Sequence, residues 1–466
     1  MPARLAALVA TGTTAAVLLR GKSGSLGPNM VLLTAGYVAL AVIVVVEVRR
    51  HRAGLPPGMG KAIVAICAAG LLVLAVAAPP TESGDVWAYA WYGRVVAHYH
   101  SNPYTTPPSH HPDDKWARHV DRPYQHSDSV YGPAFTAVSG AGMLFFGFSF
   151  LSARLFFQLL AAACVAAVMV LVWRRTRSPA AVAIIGLNPL VIVSVVNGGH
   201  NDAWVGLAVL AGVLLVTRDR LRWAGLAFAV AVMVKVAAVL PLLAVGVWLW
   251  RKRGWRAAAE MGAAAAVAGL VGYGIAGGTS ALGPLRAAQL HFSGPSVWKG
   301  PERWLGGHGL TRWIATTATA TVVALVLFLS RRRLDHADPA VVAGSAVLVY
   351  CLLGPYVLPW YVFWGLGAFA LAWRSRLAWL ALFHGAVLHL AYVPDPEIHG
   401  QPLDPLFARS PVQRFQLDLF QMWVPLLELV IIVAVIVYSL RPSGEPEETG
   451  SPAPNLLRDE GSRDYR

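Results

Sequence analysis

The chain is poor in charge. Asp, Glu, Lys and Arg make up only 13% of its 466 residues, while 56% are hydrophobic. A soluble domain carries roughly 25% charged residues, so a soluble globular enzyme is excluded and a polytopic membrane protein is expected. Cysteine is scarce too. Cys67, Cys164 and Cys351 lie inside apolar runs, where they read as small core residues and leave no disulfide or metal framework. Acids are outnumbered by bases, giving a formal net charge of +14. Nucleic acid is not implied, because the cations sit in short clusters between apolar runs, as the positive-inside rule requires. No small-residue cleavage site follows the first run, 3–19, so that run is expected to be a retained span rather than a signal peptide. Neither a soluble domain nor a repeat is visible.

What the chain does have is one long polar stretch, residues 79–133, without a hydrophobic run able to cross a bilayer. It gathers Glu82, Asp85, Arg94, Asp113, Asp114, Asp121 and Asp128, six histidines, and aromatics such as Trp87, Tyr89, Trp91 and Tyr131. Carboxylates and aromatics beside a membrane suit a polar ligand such as a sugar.

The flanking charges set the topology. Arg49, Arg50, Arg52 and Lys61 lie between the second and third runs, which puts 79–133 outside. If 134–150 crossed the membrane, Arg174, Arg175 and Arg177 would end outside, so that run is expected to lie along the outer interface. The run 223–250 has basic residues at both ends and Lys235 at its centre. It predicts a broken hairpin with Lys235 near the tip, non-helical backbone being tolerated where it lines a polar cavity. Regular alternation follows, for about 14 crossing or half-crossing helices in all. The expected fold is an all-α polytopic membrane protein with both termini cytoplasmic. One transmembrane domain covers 1–440, with 79–151 as outer loop and juxtamembrane helices. The tail 441–466, rich in Pro, Gly, Ser and Glu, is expected to be disordered.

Three places carry chemistry. Asp85 follows the third run, and on a helix it shares a face with Tyr89 and Tyr92. A carboxylate held there suits a general base, and equally a solvated acid or a helix cap. The string Asn197-Gly198-Gly199-His200-Asn201-Asp202 joins two runs. Its glycines permit a tight turn, and its polar side chains suit a pyranose, a phosphate or a cation, or else a cap on the next helix. Lys235 within an apolar run is a functional candidate by default and a point-charge partner for phosphate. Tyr131-Gly132-Pro133 and Gly354–Tyr361 break the chain at outer ends, as turns and an aromatic belt do. The histidines at 98, 100, 110, 111, 119 and 126 are too irregularly spaced to make a good zinc site.

Taken in order, Gly84-Asp85, Asn102-Pro103-Tyr104, Tyr131-Gly132-Pro133, Asn197–Asp202, Lys235 and Tyr356–Tyr361 resemble the actinobacterial polyprenol-phosphate-mannose-dependent α-mannosyltransferases. The likeness is to the α-1,6 type that extends lipomannan, within the GT-C glycosyltransferases, and it covers roughly residues 60–375. It implies a GT-C-type helical bundle in the plasma membrane with its active site facing outside. Asp85 would take the acceptor proton, and Lys235 with His200 would bind the donor phosphate. Tyr89, Arg94, Tyr131, Asn201, Asp202, Tyr356 and Trp360 would bind substrate. The implied partners are a polyprenyl-phosphate-sugar donor, a glycolipid or lipoglycan acceptor and membrane lipid, with no nucleic acid. No metal ligand or cofactor is assigned, and a divalent-cation requirement stays open. A transferase of another lipid-linked pentose or hexose, a transporter of lipid-linked sugar or polysaccharide, and a non-catalytic scaffold are the alternatives.

Overall fold

A computed structural model describes residues 1–21, 26–284, 292–305, 308–329, 336–392, 397–398, 401–402 and 411–440. The expected tail, 441–466, lies outside them. The protein is an all-α membrane protein; among the described residues the strand content is one two-residue ribbon, Glu397–Ile398 with Gln401–Pro402.

The apolar runs become helices. The first eleven are α1 (Pro2–Arg20), α2 (Leu26–Arg52), α3 (Lys61–Ala77), α4 (Asp85–Ala97), α5 (Pro133–Phe146), α6 (Phe150–Thr176), α7 (Pro179–Gly186), α8 (Asp202–Thr217), α9 (Leu221–Val234), α10 (Val239–Arg253) and α11 (Trp255–Ile275). Later ones include His308–Leu329, Pro339–Leu353, Phe363–Leu371, Arg376–Tyr392 and Val424–Leu440. Local signals start several of them. Ser149 and Ser152 form a reciprocal capping box on α6, Ser178 caps α7, and Asp338 caps Pro339–Leu353. Each such cap contributes about 1 kcal/mol.

Five helices among the described residues are long and apolar enough to cross a membrane alone. A sixth crossing needs α7 together with Leu190–Asn197, which are bent by 50° at a short break. Lys61–Ala77, Pro133–Phe146, Asp202–Thr217, Leu221–Val234 and Pro339–Leu353 are apolar but shorter. Large apolar side chains cover the outside: Leu5, Leu8, Ile66, Val73, Leu270 and Ile275 are all exposed. Such an outer surface fits lipid rather than water.

The run 223–250 turns back on itself. Gly225 of α9 faces Met261 and Ala264 of α11, while Gly272 of α11 faces Met233, so α9 and α11 lie side by side and parallel. Gly246 of α10 returns to Met261, and an ion pair between Asp219 and Arg253 closes the foot of the hairpin. Lys235, extended at φ −140° and ψ 119°, sits at the opposite end.

The next helices roof that tip. A Cβ on Gly93 of α4 would lie 2.3 Å from the Ser139 carbonyl of α5, so the two helices cross backbone to backbone. The Gly132 N–H donates to the Val234 carbonyl at 3.0 Å, tying the start of α5 to the hairpin break. Leu144, Phe145, Phe146 and Phe148 stand exposed where α5 turns into α6.

Candidate active site

Between α3 and α4 the chain leaves helical geometry and must find other hydrogen-bond partners. Asn197 supplies most of them. Its Nδ2 donates to the carbonyls of Ala75, Ala78 and Pro79, and its Oδ1 accepts from both the N–H and the hydroxyl of Thr81. Gln158 adds donations to Ala75, Ala78 and the Asn197 carbonyl. Asn197 ends a π-helical segment, Leu190–Asn197, a wide turn that occurs mostly at functional sites. Gly199 follows at φ +63°, the left-handed region where glycine carries no Cβ penalty.

That turn aims His200, Asn201 and Asp202 inward, all three nearly inaccessible. Asp202 grips Lys235 with both oxygens at 2.9 Å. The Trp364 indole N–H donates to the same carboxylate at 2.6 Å. The Lys235 ammonium also lies 4.3 Å from the Tyr361 ring centre, a cation–π contact. His200 stacks on Trp360, with ring centres 3.9 Å apart. Its Nδ1 lies 3.4 Å from Asp85 Oδ2 and 3.3 Å from the Tyr89 hydroxyl, and that hydroxyl donates to Asp85 at 3.4 Å. Tyr131 meets Tyr89 edge to face at 5.0 Å. Asp85, Tyr89, Tyr131, His200, Asp202, Lys235 and Trp360 therefore form one cluster, drawn from five separate places in the chain.

The cluster is partly exposed at Asp85, Tyr131 and Lys235. The side chains of Asp85 and Lys235 are 20% and 12% exposed, against none for His200 and Asp202. Burial, reinforced by Asp202 and opposed by Lys235, lifts the Asp85 carboxyl to about 6, within reach of a general base at neutral pH. Burial and then Lys235 hold His200 well below its usual range. That favours the neutral imidazole and leaves Lys235 as the cation of this cluster. Buried polar atoms still lack partners at His200 Nε2, at both ends of the Asn201 amide and at the Trp360 indole N–H. Such atoms are costly unless something satisfies them.

One expected contributor, Arg94, lies elsewhere. Arg94 is nine residues along α4 from Asp85, about 13 Å at helical rise. It pairs with Asp114 at 2.7 Å, whose carboxylate also accepts from Tyr99. Tyr356 stands half-buried in the turn after Leu353, its carbonyl accepting from the Tyr350 hydroxyl. Among the described residues no three His, Cys, Asp or Glu side chains converge on a metal-sized site.

Comparison with known proteins bears on this cluster. The profile of the family described as alpha-(1->6)-mannopyranosyltransferase, N-terminal domain, matches residues 4–252, just over half of the chain. The chain belongs to this family. A profile described as the MptB C-terminal domain matches residues 308–408. Alpha-(1->6)-mannopyranosyltransferase A of Mycobacterium tuberculosis is 26% identical over 341 residues, covering 65% of this chain and 64% of that protein. The chain thus spans somewhat less than two thirds of that relative's length. No solved structure matches it.

In this alpha-(1->6)-mannopyranosyltransferase family member, the N-terminal match contains Asp85, His200, Asp202 and Lys235. Trp360, Tyr361 and Trp364, within the second match, close the cluster from the other side. Sequence reasoning missed Trp364. Its helical spacing from Trp360 and Tyr361 was the available signal.

Proposed function

We propose that this protein transfers a mannosyl residue from polyprenyl-phosphate-mannose to a glycolipid or lipoglycan acceptor. Transfer takes place at the outer face of the plasma membrane, with Asp85 as the base. The observation that carries this reading is that Asp85 and Lys235, a proton acceptor and a cation, are partly exposed members of one cluster, linked through His200 and Asp202. Lys235 attracts the donor phosphate. The donor sugar lies among Tyr89, Tyr131 and Trp360, where the unpartnered Asn201 amide and Trp360 indole N–H meet its hydroxyls. An acceptor hydroxyl presented to Asp85 gives up its proton to the carboxylate as its oxygen bonds to the anomeric carbon. The bond from that carbon to the phosphate oxygen breaks, and polyprenyl phosphate leaves with the electron pair. One direct displacement inverts a β-linked donor to an α product. Phosphate is a stable leaving group, so catalysis rests on placement and charge stabilisation.

The experiment is transfer by the purified protein, supplied with polyprenyl-phospho-mannose and mannose-containing glycolipids, with products read by mass spectrometry and linkage analysis. An acceptor heavier by one hexose in a new α linkage is expected. Transfer only from another lipid-linked sugar would replace the donor assignment. Movement of intact lipid-linked sugar across vesicles without transfer would favour a transporter.

A further inference from the structure

A second buried polar cluster lies just ahead of the base. Glu82, three residues before Asp85, has almost no exposed surface. One of its oxygens faces His389 Nε2 at 2.8 Å, and the other accepts the Ser194 hydroxyl at 2.5 Å. The other ring nitrogen of His389 meets the Tyr37 hydroxyl at 2.5 Å. An ionised carboxylate only accepts, so His389 Nε2–H and the Ser194 O–H donate to Glu82, and in the neutral imidazole Nδ1 then accepts from the Tyr37 O–H. Every polar side-chain atom of these four residues has a partner, the condition under which a buried network fixes one geometry.

The four residues come from α2, the α3–α4 connection, the π-helical segment and the helix Arg376–Tyr392. The connection has little other freedom. Gly84 leaves no space, since a Cβ there would lie 2.1 Å from Asp121 Oδ2, and the Asp85 N–H donates to the Ser83 hydroxyl at 3.1 Å. Glu82 is thus the side chain that ties the connection to distant parts of the fold just before α4 begins at Asp85.

We infer that Glu82, His389 and Tyr37 are positioning residues. They fix the first turn of α4, and with it the place of the Asp85 carboxylate in the cluster that also holds Lys235. The inference rests on the proposed role of Asp85, and none of the three touches the reacting atoms.

The test is steady-state transfer with polyprenyl-phospho-mannose by purified Glu82→Gln, His389→Leu, His389→Gln and Tyr37→Phe, with Asp85→Asn alongside. A misplacement of about 1 Å costs on the order of a hundredfold. Glu82→Gln and His389→Leu should therefore lower kcat about ten- to hundredfold while KM for the donor moves less than about threefold. His389→Gln places an amide N–H where Nε2 was and should recover most of the loss. Tyr37→Phe, the mildest change, should lower kcat less than His389→Leu. Folded variants with wild-type kcat, or His389→Gln no better than His389→Leu, would overturn the positioning role. If Glu82→Gln and His389→Leu do not fold, a wild-type kcat in Tyr37→Phe overturns it by itself. An active Asp85→Asn is a different failure, that of the base assignment.

Discussion

Lys235→Met has two consequences that can be separated. Both Asp202 oxygens hold the ammonium at 2.9 Å, and the Asp202 side chain is fully inaccessible. Removing one partner of a buried pair costs about 3–5 kcal/mol, because the other charge is stranded. The Trp364 indole N–H stays on Asp202 at 2.6 Å, so the loss should fall near the lower end, about 3 kcal/mol. The second consequence is functional: a charge-assisted contact to the donor phosphate contributes about 1.5–3 kcal/mol, about ten- to hundredfold in affinity. Lys235→Met/Asp202→Asn separates the two, since it strands no charge. Thermal unfolding in detergent should show the single variant destabilised and the double variant close to wild type. Donor binding by calorimetry should stay weak in both. Unchanged stability in Lys235→Met would refute the buried-pair argument. Recovery of donor affinity in the double variant would mean that Lys235 serves Asp202 rather than phosphate.

Transfer should fall as pH drops through about 6, tenfold per unit below it, because protonated Asp85 cannot accept a proton. His200 should add no second step near its ordinary range, since burial holds it neutral well below that; a pH–rate profile of kcat/KM reads both. Gly132→Ala would put a Cβ 2.2 Å from the Met233 carbonyl. It should destabilise the protein by about 1–3 kcal/mol and lower turnover by moving Tyr131 off the hairpin tip. Gly274→Ala, with nothing within 4 Å, is the matched control in the same unfolding and transfer assays.

The helices were legible because lipid-facing and buried positions are both apolar, so runs stand out against the clustered cations. Lys235 was legible for the same reason: a cation inside an apolar run has to be explained, and hairpin geometry explains it. The string 197–202 was visible as a polar group between runs, but its division of labour was not. Asn201 and Asp202 were equally open to capping α8, yet neither side chain caps it. Asn197, at the head of the string, binds the end of α3 instead. The Glu82–His389–Tyr37 chain was invisible, because its members are 307 and 352 residues apart and no local pattern links them. Arg94 was misleading in the opposite sense. It stands in an aromatic, site-like stretch, but its charge is taken by Asp114, twenty residues on.

The most direct test of the account is Asp85→Asn in the purified transfer assay. Asparagine keeps the size and the hydrogen bonding but cannot accept a proton at neutral pH. The rate should fall by about 10²–10⁴, with donor binding and thermal stability close to wild type. Near wild-type transfer by Asp85→Asn, with Asp121→Asn or Asp202→Asn inactive instead, would contradict the account and move the base to that residue.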